Sequence, residues 1–373
     1  MKLCSGYFRD ENESLINVEG EFDKTYIIIY IPRGSNREKI GERGLNHVCE
    51  HILLKEIENA YLNCCDDKNF DYKGHTDYTN VVLEFSIGKR QYLDKIFYAI
   101  DNVKQKITSR NINQIMVDVS KREVITECKI KNYSNEQINT FLSQGEVKWL
   151  PIGKAEDIYK ISNCRIIDCL QYYFLYMRIL VLTKDKIRKY GIGGLSSIEE
   201  VNSGRCKISG IYNKSGILKD RTDVYVKLHK NKCDESFIAE NILENILIHR
   251  LSYNKKIELL DLKRKKLHDK YYFFQLCLKG TIQLEDLYIL KKKVCLNEFE
   301  LAKKDLYIAM KNINSINCAY VISNLLNHFN YGDSILLTYQ CLDRLLLILE
   351  KLEFVQFEKY LFDIYSNNIF VIN

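Results

Sequence analysis

Two hydrophobic periods, near 2 and near 3.6, divide the chain into strands and helices. Residues 25–31, Thr-Tyr-Ile-Ile-Ile-Tyr-Ile, form a β-branched and aromatic run of strand length. Residues 81–86, Val-Val-Leu-Glu-Phe-Ser, make a second strand of mixed alternation. Between them the polar, cysteine-bearing stretch 63–73 predicts a loop, which runs through Gly74, His75, Thr76 and Asp77 into the second strand. Leu93, Ile96, Phe97, Ile100 and Val103 recur at helical spacing and predict an amphipathic helix over 90–105, with another helix over 113–130. Trp149-Leu-Pro-Ile-Gly153 breaks the helical pattern, and Arg178-Ile-Leu-Val-Leu-Thr183 follows as a strand.

Past a flexible stretch, Gly191-Ile-Gly-Gly-Leu-Ser-Ser197, the pattern starts again. A strand over 223–228, an apolar-striped helix over 237–249 and a strand over 272–278 are followed by helices through Tyr365, and Ile369-Phe-Val-Ile372 echoes the close of the first half. This predicts two copies of one α+β unit, residues 1–190 and 198–373, joined by a linker at 191–197. The glycines of the linker make no phosphate loop, because no Lys-Ser/Thr follows at the required place.

Composition agrees with that plan. A chain of 373 residues suits two domains of about 185 each. A hydrophobic content of 46% with 28% charged residues fits globular units with sizeable cores. The net charge of +6 is spread along the chain with no basic cluster interleaved with aromatics, which argues against nucleic acid and favours acidic or neutral peptides. The 13 cysteines follow no repeated C-x-x-C framework, and the first residues lack an apolar core of signal-peptide length. The longest apolar run, 172–182, is interrupted by Arg178 and too short to span a bilayer. The expectation is a chain with reduced thiols, no membrane span and a cytoplasmic location.

The candidate chemistry lies in His47-Val48-Cys49-Glu50-His51. On a helix His47 and His51 stand one turn apart on one face, with Glu50 beside them. Two imidazoles so spaced can share one zinc ion, and the carboxylate can reach a water at the same ion. The order His-x-x-Glu-His is the inverzincin signature. A structural zinc site is the weaker alternative, since such sites are normally closed by four protein ligands, often Cys. Cys49 points away from His47 on a helix, and both it and Cys128 read as small buried hydrophobes.

The surroundings of the motif, a strand at 25–31, then Gly34-Ser35, Arg37-Glu38 and Gly44-Leu45, resemble the start of the M16 family of zinc peptidases, which includes pitrilysin, insulin-degrading enzyme and the mitochondrial processing peptidase. The resemblance covers most of the chain and implies two homologous α/β-sandwich units of the M16 type in tandem, only the first of which carries the zinc motif. By the same resemblance Glu127, on a later helix, is the third ligand, with one Zn2+ per chain. The family's orienting carboxylate is replaced here by Ser120, and Glu123 could partly take over its role. The family's Asn-Ala-x-Thr strand, which receives an extended substrate at the sheet edge, corresponds to Lys73, Gly74, His75 and Thr76. Only Thr76 matches, so the contact there is expected through backbone. His75 could offer a further metal ligand, but the helix pair already supplies two imidazoles. Trp149–Gly153 is similar to the family's Pro-Leu-Gly turn, which leads through a short helix and a Tyr-bearing helix at 166–173 to the closing strand.

In the second half Arg264 and Tyr271 resemble an Arg/Tyr pair that family members direct at the zinc of a facing unit, although the usual Gly before the Tyr is missing. The implied activity is zinc-dependent endoproteolysis of short, extended or unstructured peptides, such as a precursor or leader. Glu50 would be the general base, and Arg264 and Tyr271 would hold the substrate carbonyl. The family surrounds its chamber with four units, so the implied partner is a second half, as a homodimer or as a heterodimer with a separately encoded subunit. The competing reading is a non-catalytic or accessory M16-like subunit.

Overall fold

The computed structural model describes residues 6–9, 15–19, 22–130, 142, 150–184, 221–228, 234–253, 256–268, 271–280, 287–312, 339–365 and 369–372. The chain divides into two compact units, Met1–Val201 with Ile316–Ile322 and Asn202–Ser315 with Ser323–Asn373. The expected linker at 191–197 lies outside the described residues.

In the first unit β1 (Gly6–Arg9), β2 (Leu15–Glu19) and β3 (Thr25–Ile31) precede a 3₁₀ turn at Ser35–Arg37 and the long helix α1 (Leu45–Leu62). The hairpin β4 (Asp71–Thr76) and β5 (Val81–Ile87) is followed by α2 (Leu93–Thr108), α3 (Gln114–Ile130), α4 (Ala155–Lys160) and α5 (Asn163–Tyr176), and β6 (Arg178–Thr183) closes the unit. The sheet order is β1-β2-β6-β3-β5-β4, with β2–β6 its parallel pair. Strands β3 and β5 are buried along nearly their whole length, which explains why they read as continuous apolar runs rather than alternating ones. The alternation of β4 between exposed and half-buried positions marks it as the sheet edge. It begins at Asp71, inside the stretch expected to be a loop; its polar exposed face hides the strand period.

Helix α1 packs on α2, α3, α5, β4 and β5. Its apolar residues therefore face several directions, and buried positions run all round it. Its start is fixed by two devices. Glu38 accepts hydrogen bonds from the backbone N–H of Gly44 and of Asn46, both at 2.8 Å, and from the Asn46 amide at 3.0 Å. It thereby satisfies N–H groups that a helix N-terminus leaves without intrahelical partners. Burial pushes the Glu38 carboxyl up to about 8 against the pull of those donors.

The second device is a contact of two glycines. Gly44 (φ 95°) and Gly153 (φ 84°) both occupy the left-handed region. A Cβ on Gly153 would come within 2.4 Å of the Gly44 Cα, and one on Gly44 within 2.7 Å of Ile158. Only a bare backbone at both places lets the turn at 150–153 lie on the start of α1, where Arg43 and Asp157 add an ion pair.

The second unit contains β7 (Arg221–Leu228), α6 (Asp234–Ser252), the hairpin β8 (Glu258–His268) and β9 (Tyr271–Lys279), then α7 (Tyr288–Lys291), α8 (Leu296–Lys311), α9 (Tyr339–Lys351), α10 (Phe354–Tyr365) and β10 (Ile369–Ile372). Its antiparallel order β10-β7-β9-β8 reproduces β6-β3-β5-β4 of the first unit strand for strand. No helix among the described residues is long and apolar enough to cross a membrane.

Arg250 of α6 organises this unit. Its guanidinium donates to both carboxylate oxygens of Glu298 at 2.8 Å and to the carbonyls of Ile289, Lys292 and Lys293. The hydrogen bonds from Arg250 hold the Glu298 carboxyl down at about 2, below its ordinary 4.5. A depressed carboxylate contributes stability that is present above its unfolded pKa and lost as pH falls through the folded one. Unfolding midpoints measured in denaturant should therefore drop between pH 4.5 and about 2, and Glu298→Gln should flatten that drop while lowering the midpoint at neutral pH.

Candidate metal centre

His47 and His51 project from the first two turns of α1, with ring centroids 4.9 Å apart. Glu127, near the end of α3, meets both of them. Its carboxylate oxygens lie 3.7 Å from His47 Nε2 and 3.3 Å from His51 Nε2. Ligand atoms from the three residues all fall within 4.8 Å of one another. At zinc–ligand distances near 2.1 Å, a tetrahedral ion separates its ligand atoms by about 3.4 Å, so each imidazole has a Glu127 oxygen at about the spacing such an ion needs. The group could hold a metal ion.

Each imidazole is also held from behind. His51 Nδ1 lies 3.0 Å from Glu123 Oε2, and His47 Nδ1 lies 3.5 Å from the carbonyl of Ile152. Partners at Nδ1 leave Nε2 as the nitrogen facing the common centre, the arrangement that orients ligating histidines. Glu123 is itself tied to Lys55, one turn beyond His51 on α1. Burial pushes the Glu123 carboxyl up, but the hydrogen bonds from Lys55 and His51 outweigh it and leave the group below its ordinary range. Ser120 is fully buried, and its hydroxyl has no hydrogen-bond partner among the described residues. Of the two candidates on α3 for orienting a ligand, Glu123 is the one in contact.

Glu50 is buried on the same side of α1, and its Oε2 accepts a hydrogen bond of 2.6 Å from the hydroxyl of Thr76 on β4. Around these residues opens a cleft of about 530 Å³, with β4 on one side and Leu150, Pro151 and Ile152 on the other. Gly74, His75 and Thr76 line it. Lys73 faces away from α1, where it pairs with Glu84 at 3.2 Å. His75 is exposed and is not among the described residues that form the metal group. Cys49 and Cys128 are buried and stand outside that group as well. The Cys49 thiol faces the Ile166 carbonyl, and the Cys128 thiol donates to the Ile152 carbonyl at 3.1 Å.

In the second unit Arg264 lies within β8, and Tyr271 opens β9; the Tyr271 side chain is outside the described residues. The Arg264 guanidinium is mostly buried in its own unit, 3.8 Å from Glu240 and over the rings of Phe237 and Phe274. Several site contacts had no sequence signal, above all the Ile152 carbonyl, which any residue could supply. Lys55 had one in its helical spacing from His51.

No family model and no curated protein matches this sequence. Solved structures do match. The periplasmic protease PqqL from Escherichia coli superposes with a TM-score of 0.67 at 15% identity over 100% of this chain and 48% of its own. A putative M16-like peptidase from Alicyclobacillus acidocaldarius gives 0.66 at 12% identity, covering 100% of this chain and 98% of its own. The M16 inactive domain from Pseudomonas fluorescens gives 0.66 at 9% identity, covering 98% of this chain and 96% of its own. The chain thus spans about half the length of PqqL and the whole of the shorter relatives, and its fold is that of the M16 peptidases.

Proposed function

We propose that the protein is a zinc-dependent endopeptidase, the catalytic half of an M16-type assembly, which cuts extended or unstructured peptides such as a precursor or leader. The observation that carries this reading is the convergence of His47, His51 and Glu127 on one point beside Glu50, in a cleft open along the edge strand β4. Two imidazole nitrogens and one carboxylate oxygen are a donor set suited to zinc, and three protein ligands rather than four are the mark of a catalytic site. Zinc held there would polarise the scissile carbonyl and lower the pKa of water.

The chain's own residues supply the rest. Glu50 takes the proton of the attacking water and returns it to the leaving amine. The edge of β4 holds the substrate. Asp77 N–H bonds to the Asn80 carbonyl at 2.8 Å, which makes 77–80 a hydrogen-bonded pair of the β4–β5 ladder. Such pairs alternate, so the main-chain groups of Tyr72, Gly74 and Thr76 turn outward and are the ones an added strand would meet. Lys73 and His75 flank that strand on the face away from α1. Glu123 orients His51 in place of the carboxylate missing at Ser120.

Arg264 and Tyr271 are the candidates for holding the substrate carbonyl of a facing half. A two-fold homodimer is the economical assembly, with a heterodimer as the runner-up. Arg264 would have to leave Glu240 to serve there. The described cysteines are free, in keeping with a cytoplasmic setting. A non-catalytic accessory half is the second reading, favoured by the likeness to an M16 inactive domain and by Ser120.

Purified protein should carry about one zinc per chain by elemental analysis. His47→Ala and Glu127→Ala should lose it, whereas Glu50→Gln should keep the metal, stay folded and cut nothing. Metal content unchanged in His47→Ala would remove the site assignment. A zinc-loaded wild type that leaves a mixed peptide library intact, by mass spectrometry, would favour the accessory reading.

Assembly has its own test. Glu50→Gln and Arg264→Ala chains, each inactive alone, should regain activity when co-assembled, because one of the two mixed sites keeps both residues. A homodimer whose mixtures stay inert would eliminate the shared site. A monomer that gains activity only when another protein is added would point to the heterodimer.

A further inference from the structure

We propose that Thr76 is a positioning residue for Glu50. Its hydroxyl sets the carboxylate while its main chain faces the substrate, so that strand addition and alignment of the base depend on one residue. This rests on the peptidase reading above.

Three observations meet at this point. The Thr76 hydroxyl donates to Glu50 Oε2 at 2.6 Å. The other oxygen is confined by the same strand: a Cβ on Gly74 would lie 2.8 Å from Glu50 Oε1 and 3.1 Å from its Cγ. Both sides of the carboxylate are therefore bounded by β4, one by a donor and one by bare backbone. The third is the ladder: Gly74 and Thr76, two residues apart, both turn their backbone groups to the open edge of the described sheet. Two of the three residues that would hold a peptide by its main chain, Gly74 and Thr76, thus also border Glu50. Because misplacing a reacting group by about 1 Å can cost on the order of a hundredfold in rate, a carboxylate free to rotate in an open cleft would be a poor base. A side chain at Gly74 would press on the same carboxylate and, at an equal 2.8 Å, on Leu54 Cδ1.

The measurement uses the full-length zinc-loaded protein and the best-cut member of a random decapeptide library. Thr76→Val keeps shape and main chain but removes the donor. It should lower kcat about tenfold or more with KM nearly unchanged and zinc content intact, and Thr76→Ser should recover most of the loss. Gly74→Ala should shift kcat in the same direction. A Thr76→Val chain with wild-type kcat, or with a raised KM at unchanged kcat, would overturn the proposal and leave Thr76 a substrate contact only. A wild type that cuts no peptide would instead defeat the peptidase reading, and the positioning role with it. Thermal unfolding supplies a readout free of activity. Thr76→Val should lower Tm in the wild type but have little effect in a Glu50→Ala background, and equal losses in both would show that the hydroxyl does not act through Glu50.

Discussion

The burial of α1 on nearly every side is the constraint on which the rest of the site depends. A helix that sits between a sheet and three other helices cannot rotate without exposing apolar residues on one face and burying charge on another. Leu45, Val48, Cys49, Ile52 and Leu53 thus fix its rotation, and His47, Glu50 and His51 take their direction from that packing. The polar residues that the helix carries inside must find partners there, because an unsatisfied buried group costs about 1–3 kcal/mol. Asn46 does so completely. Its amide reaches Glu38 and the Gly34 carbonyl, and its side-chain oxygen accepts from Tyr173 at 2.9 Å. This ties the helix start to both the preceding loop and α5, one residue before the first histidine.

The internal repeat reveals what the scaffold does apart from metal. In the second unit α6 stands where α1 stands, and β8 where β4 stands. Glu240 and Glu244 lie four apart on α6, the spacing of His47 and His51 on α1. Burial raises the Glu244 carboxyl while Arg264 on β8 pulls it down, and Arg264 also stands beside Glu240, which accepts a hydrogen bond from Tyr360. The contact between a long central helix and an edge strand is thus built in both units. In the first it brings the Thr76 hydroxyl of the edge strand to Glu50, beside the imidazoles that Glu127 of α3 meets. In the other a guanidinium from the edge strand brings its own positive charge to a pair of carboxylates. The largely buried Glu240 would be costly without that compensating charge.

How much of this was legible in the sequence depended on whether side chains or backbone carried the feature. The helical period of Leu93, Ile96, Phe97, Ile100 and Val103 gave α2 to within a few residues, because one of its faces is buried and the other solvated. The strand β3 and the repeat of the whole plan were equally plain, and so was the stacking of His47 and His51. Strand β4 was half hidden, since an edge strand with charged residues on its open face resembles a polar loop. Strand β8 went unread for the same reason: Lys263, Arg264, Lys265 and Lys266 do not look like a strand, yet β8 is the edge of its sheet. The turn at 150–153 was visible as a break. Its contribution of a carbonyl behind His47 was not, because a backbone group leaves no trace in residue type.

The edge of β4, unpaired among the described residues, makes the final link between fold and chemistry. An unpaired strand edge invites pairing with other chains, and proteins blunt such edges with short length and charge. Here the strand is six residues long, and Asp71, Lys73 and His75 crowd its exposed positions. These side chains lie on the face away from α1, while the face toward α1 holds the small Gly74 and the Thr76 hydroxyl. What remains for a partner is a short length of main chain whose outward groups fall at Tyr72, Gly74 and Thr76. A chain that pairs there is recognised mainly as backbone, so its shape matters more than its sequence. Only a peptide free of its own hydrogen-bonded structure offers that backbone. Under the proposed peptidase reading, the same six residues would limit what can enter the cleft and would place it beside Glu50.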